Sequence, residues 1–188
     1  PFFHFHHFGH KKKSRAIVNI GGISNITYLK ANGALSDVRA FDTGPGNMLL
    51  DGLASRLTQK RMDRDGKMAC AGKVNATLLS ELMRHPFIRK SPPKSTGRET
   101  FGEAIITSLC NRQNSISIPD LMATAAAFTA ASIAYNIKFF ILDEDPLDEV
   151  IVGGGGVRNP VVMASLAENL APIPVHSFEV LGVDSRAI

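Results

Sequence analysis

The sequence predicts an α/β domain: a mixed sheet flanked by helices. Three observations predict it. Short β-branched runs crowd residues 15–41; helical spacing dominates residues 48–138; and a late apolar run at 149–152 ends in four glycines before a new helix. With 188 residues, 44% hydrophobic and 20% charged, the chain suits one globular domain of ordinary size.

The opening segment, Pro1-Phe2-Phe3-His4-Phe5-His6-His7-Phe8-Gly9-His10, alternates rings and imidazoles. It reads as a strand or edge segment with Phe inward. Adventitious metal binding by its four histidines is the weaker reading, because no Cys, Asp or Glu joins them. The absence of an initiator Met gives the expectation of a piece of a longer reading frame. Residues 15–20 and 23–29 then read as strands around Gly21-Gly22. Asn32-Gly33 is a hairpin signal, and residues 38–41 form a third strand. The expectation is an antiparallel meander.

Asp42-Thr43-Gly44-Pro45-Gly46-Asn47 reads as a tight polar loop. A helix over 48–57 follows, with Leu49, Leu50, Leu53 and Leu57 on one face. Residues 74–83 form another amphipathic helix. Pro86 and Pro92-Pro93 punctuate a loop, and a helix covers 101–109. Ser117, Pro119 and Asp120 start a long Ala-rich helix as cap, early proline and third-position acid. Residues 149–152 are a strand. Asn159 and Pro160 begin a helix through 170, residues 174–178 are a last strand, and 181–188 begin something unfinished.

Composition excludes several classes. The net charge of +4 owes much to Lys11, Lys12, Lys13 and Arg15, a solvated loop rather than a nucleic-acid face. Cys70 and Cys110 are far apart with no CxxC, which suits a reducing cytosol and no zinc site. The most apolar stretch, residues 121–142, carries Thr124, Thr129, Ser132, Asn136 and Lys138, so it predicts a buried helix and no membrane span.

Four motifs carry chemistry. Asn19-Ile20-Gly21-Gly22-Ile23-Ser24-Asn25 is either a plain hairpin turn or a phosphate turn, with bare backbone plus Ser24 and Asn25 as donors. Asp42 ends the third strand. It can act as a general base or order a magnesium ion through water, or it only caps its turn. Gly153-Gly154-Gly155-Gly156-Val157-Arg158-Asn159-Pro160 joins a strand to a capped helix and suits a nucleotide, although it is neither a P-loop nor GxGxxG. In Lys94-Ser95-Thr96-Gly97-Arg98-Glu99, Arg98 can grip a carboxylate or phosphate, or sit on a plain surface loop.

The order of these pieces resembles the second half of the ribonuclease H-like actin/hexokinase-type ATPases. Their wording resembles the anhydro-N-acetylmuramic acid kinases over residues 15–188. That resemblance implies a single domain over 1–188, the C-terminal half of a two-domain cytoplasmic kinase, dimeric at full length. It implies ATP with Mg²⁺, and hydrolytic opening of 1,6-anhydro-N-acetylmuramic acid with phosphorylation of O6, in peptidoglycan recycling. Asp42 would be the catalytic base. Gly21, Gly22, Ser24, Asn25, Gly154, Gly155 and Asn159 would lie near phosphate and adenosine. Thr43, Gly44, Asn47 and Arg98 would meet the sugar, and no residue would ligate the metal directly.

Three departures go with the resemblance. The Gly-Thr-Ser-x-Asp-Gly phosphate loop of the first domain is missing, the chain stops before the closing helix, and the aromatic–His stretch replaces an expected Asp near His4. They imply that the fragment is inactive alone. The rival reading is a non-catalytic remnant that binds a nucleotide or muropeptide.

Overall fold

In the computed structural model, which describes residues 1–184, β1 (Arg15–Ile20), β2 (Ile23–Leu29), β3 (Arg39–Pro45), β4 (Glu149–Gly153) and β5 (Val175–Ser177) share one sheet. Its order is β3-β2-β1-β4-β5. The first three strands form the expected antiparallel meander, and β4 and β5 add in parallel to β1. The sheet is therefore mixed.

Alternation along the strands assigns two faces. Ala16, Val18, Ile20, Ile26, Tyr28, Val150 and Val152 join the main core. There they meet α8 (Ile118–Phe140), which starts as expected: Ser117 accepts the N–H of Asp120, and Pro119 sits in the first turn. Its small side chains let β3 come close. A Cβ added to Gly44, whose φ is +146°, would lie 3.0 Å from Ser132 Oγ and 3.0 Å from Ile88 Cδ1. The rest of this layer comprises α2 (Asn47–Thr58), α3 (Lys67–Cys70), α4 (Ala76–Leu82), α5 (Pro86–Arg89), α6 (Arg98–Phe101), α7 (Glu103–Cys110) and α9 (Pro160–Leu170). Gly102 divides α6 from α7, where one helix was expected: a Cβ there would sit 2.2 Å from the carbonyl oxygen of Arg98.

The opposite face carries a smaller cluster: Phe8, Ile17, Leu29, Ile151 and Phe178. Phe8 belongs to α1 (Phe2–Phe8), which corrects the expectation of a strand at the front of the chain. Ring contacts at helical spacing explain it. Phe2 meets His6 at 4.3 Å, Phe3 meets His7 at 4.2 Å, and His4 meets Phe8 at 5.8 Å. Arg15 fastens this helix: it donates to the carbonyl of Phe8 at 2.9 Å and to Glu149 at 2.7 Å. Burial raises the Glu149 carboxyl, but Lys13 and Arg15 outweigh it and hold the group below its ordinary value.

Two further expectations are corrected. β3 runs through Asp42, Thr43, Gly44 and Pro45, because its ladder with β2 continues past a bulge at Ser24/Asn25. The link from β2 to β3 is longer than a two-residue hairpin turn, with a 3₁₀ turn at Leu35–Asp37. Near the end of the chain, Phe178–Leu181 is a 3₁₀ turn. The unfinished element expected over 181–188 falls partly outside the described residues.

Candidate functional site

A polar row crosses the lightly covered face of the sheet. Asp42 on β3 stands opposite Asn25 on β2, Asn25 opposite Asn19 on β1, and Asn19 beside Gly153 on β4. Strand pairing thus gathers the acid and both asparagines at one end of the sheet. The Asn19 side-chain oxygen is buried without a hydrogen-bond partner among the described residues. Burying a polar atom unpaired is unfavourable, so this oxygen is poised for a donor.

The Asp42 carboxylate is held in place. Its Oδ2 accepts Ser95 Oγ–H at 3.0 Å and the Thr96 N–H at 2.8 Å. Its backbone N–H donates to the carbonyl of Lys94 at 3.1 Å. A cavity of about 610 Å³ opens beside it, lined in part by His4, Asn19, Asn25, Thr27, Asp42 and Lys94. His4 is buried, with Nδ1 2.8 Å from Thr27 Oγ1. Burial, helped by the positive amino terminus, lowers its pKa to about 4. Lys94 is buried too and is pushed down to about 8, by desolvation first and by Lys90 second.

The Gly21-Gly22 turn docks on the start of α2. The carbonyl of Gly21 accepts the N–H of Asn47 at 2.8 Å, and that of Gly22 accepts those of Gly46 at 3.0 Å and Met48 at 3.2 Å. With its carbonyls engaged, the turn has N–H groups to offer a phosphate. Asn47 also donates from Nδ2 to the carbonyl of Ile20 at 3.1 Å. A Cβ on Gly155 would lie 3.2 Å from that nitrogen, so Asn47 props one glycine turn against the other.

Two more cavities flank this prop. One of about 700 Å³ is lined in part by Asn47, Asp51, Asp63, Gly66, Gly155 and Asn159. The other, of about 740 Å³, is lined in part by Gly21, Gly22, Asp51, Gly97 and Arg98. The structure therefore brings Arg98 to the Gly21-Gly22 turn, in a different cavity from Asp42. Asp51 lines both cavities, and burial raises its carboxyl although Arg61 opposes this.

Not every expected contact faces a cavity. Ser24 and Thr43 are fully buried, their hydroxyls 2.7 Å apart, and Ser24 also donates to the carbonyls of Gly44 and Pro45. Their hydroxyls lock the strand junction behind Asp42, and Gly44 is packed under α8. Asn159 caps α9 through Oδ1, to the N–H groups of Val161 and Val162. Sequence reasoning missed four groups: Asn19, His4, Asp51, and the Ser95–Thr96 pair as partners of Asp42. Spacing offered one clue, since Asp51 lies one helical turn after Asn47.

The sheet order, the glycine turns at one end of the sheet and the long central helix make up the actin/hexokinase-type fold. Solved structures share this fold. The activator of the 2-hydroxyisocaproyl-CoA dehydratase from Clostridium difficile, solved with bound ADPNP, matches with TM-score 0.56 and 16% identity, over 87% of this chain and 53% of that one. Component A of (R)-2-hydroxyglutaryl-CoA dehydratase from Acidaminococcus fermentans matches with TM-score 0.54 and 18% identity, over 86% and 54%.

The chain belongs to the anhydro-N-acetylmuramic acid kinase family, whose family model matches residues 1–188. A relative of that name from Clostridioides difficile is 40% identical over 187 residues, covering 100% of this chain and 49% of the relative. One from Salinibacter ruber is 42% identical over 185 residues, covering 97% and 47%. The chain thus spans about half the length of these curated relatives. The family match includes the first ten residues, so the aromatic–His stretch lies inside it.

Proposed function

We propose that this chain supplies the base and much of the nucleotide site of an ATP-dependent anhydro-N-acetylmuramic acid kinase. The observation that carries this reading is the Asp42 carboxylate, fixed by Ser95 and Thr96 beside an open cavity in the same row as Asn25 and Asn19. Asp42 takes a proton from water as the water oxygen bonds to the anomeric carbon of the 1,6-anhydro sugar. The bond from that carbon to O6 breaks, O6 takes the γ-phosphoryl group, and ADP leaves. The product is N-acetylmuramic acid 6-phosphate, which places the reaction in cytoplasmic cell-wall recycling.

The residues present fit a nucleotide. The turn at Gly154 and Gly155 is bare backbone ahead of a capped helix, and Gly21 and Gly22 line the cavity that Arg98 shares. The Asp42 carboxylate is a hard oxygen donor of the kind that would order a hydrated Mg²⁺ through water. When bound, Mg²⁺ offsets phosphate charge during transfer.

The remaining half of the relatives would be the other domain of the cleft, and the full-length protein would be a homodimer. Phosphoryl transfer depends mainly on positioning between two domains, so the 188 residues alone are expected to be inactive. The test is turnover of ATP and the anhydro sugar by this chain, alone and joined to the part of the Clostridioides difficile relative that it does not cover. Activity in the joined protein only, abolished by Asp42→Asn, supports the reading. A joined protein that folds and binds ATP without turnover points to the non-catalytic remnant.

A further inference from the structure

We propose that residues 94–96 are a strap that positions Asp42, with Ser95 and Lys94 as its positioning residues. The proposal rests on the reading of Asp42 as the base. The strap meets Asp42 at three points. The Lys94 carbonyl accepts the backbone N–H of Asp42 at 3.1 Å, while Ser95 Oγ–H and the Thr96 N–H both donate to Oδ2. Two donors on one oxygen restrict rotation of the carboxylate, whose other oxygen, Oδ1, would take the proton.

The strap is itself anchored from below. Lys94 Nζ donates to the carbonyls of Phe87 and Ile88, each at 3.1 Å, in the last turn of α5. It also lies 4.9 Å from the centre of the Phe87 ring and 5.1 Å from that of Phe140. A buried ammonium is costly unless its donors are met. Here two of its three donors are met by carbonyls, which tie the strap to α5. The side chain of Ser95, by contrast, is exposed and packs into no core. Its hydroxyl can be removed without leaving a void.

That exposure makes the proposal separable from folding. The test uses the chain joined to the uncovered part of the Clostridioides difficile relative, with Ser95→Ala, Ser95→Thr, Lys94→Met and Asp42→Asn compared for kcat, for KM toward ATP and the anhydro sugar, and for melting temperature. Misplacing a base lowers turnover and leaves ground-state binding alone, so Ser95→Ala is expected to lower kcat about tenfold. Both KM values and the melting temperature should stay put, and Ser95→Thr, which keeps the hydroxyl, should recover most of the rate. Lys94→Met should lower kcat in the same way.

If Ser95→Ala keeps full kcat while Asp42→Asn is inactive, the positioning role is overturned and the base stands. A raised KM at unchanged kcat would also overturn it, by making Ser95 a substrate contact. If Asp42→Asn turns over normally, the base reading falls and the strap proposal falls with it.

Discussion

The Thr96 N–H donates to the Asp42 carboxylate at 2.8 Å, across 54 residues of chain. Two motifs far apart in sequence thereby become one site. Asn47 stands between two other distant turns: it donates to the carbonyl of Ile20, next to Gly21-Gly22, and its amide nitrogen lies close against Gly155. The site is a set of loops gathered at one end of a mixed sheet, where strand ends and helix starts converge.

Gly154→Ala should damage the turn between β4 and α9. The φ of Gly154 is +83°, and an added Cβ would lie 2.4 Å from Asn19 Oδ1 and 2.7 Å from the carbonyl oxygen of Ile20. Strain of this kind costs about 1–3 kcal/mol. Urea unfolding of the 188-residue chain should report that loss, and ATP binding by the joined protein should weaken.

Lys94 should leave a signature in alkaline stability. Its pKa falls from 10.5 to about 8 on folding. Between those values the unfolded chain holds a proton that the native chain has lost, so stability rises with pH there. Measured against Lys94→Met, the wild-type chain should gain stability from pH 8 to 10. A difference that stays flat over that window would mean that Lys94 is not desolvated.

His4 should make the fold sensitive to mild acid. Its pKa drops from 6.5 to about 4 on folding. The unfolded chain protonates first, so the stability this neutral imidazole supplies is lost as pH falls through that range. His4→Gln cannot titrate and should flatten this part of the curve when unfolding is followed from pH 7 to 4.

The sequence made local elements legible and hid contacts between distant ones. β1, β2, α2 and the capped starts of α8 and α9 follow from periodicity and caps, which act within a few residues. The front of the chain misled because Phe and His alternate, yet the decisive contacts are ring pairs four residues apart on a helix. β3 was cut short because Gly44 and Pro45 read as a turn, whereas the bulge at Ser24/Asn25 keeps them in the ladder. Asp42 was legible as a candidate acid at a strand end. Its partners Ser95 and Thr96 were not, since nothing local ties residues 95 and 96 to residue 42. Ser24 was expected near phosphate and Thr43, by resemblance, at the sugar, but burial turns their hydroxyls onto each other.

The central claim is that Asp42 is the base of an anhydro-sugar kinase. The most direct measurement is turnover of ATP, Mg²⁺ and 1,6-anhydro-N-acetylmuramic acid by the joined protein, for wild type and Asp42→Asn at matched ATP binding. The wild type should yield N-acetylmuramic acid 6-phosphate, and removal of the base should lower kcat by at least about 100-fold. Turnover by Asp42→Asn at the wild-type rate would contradict it.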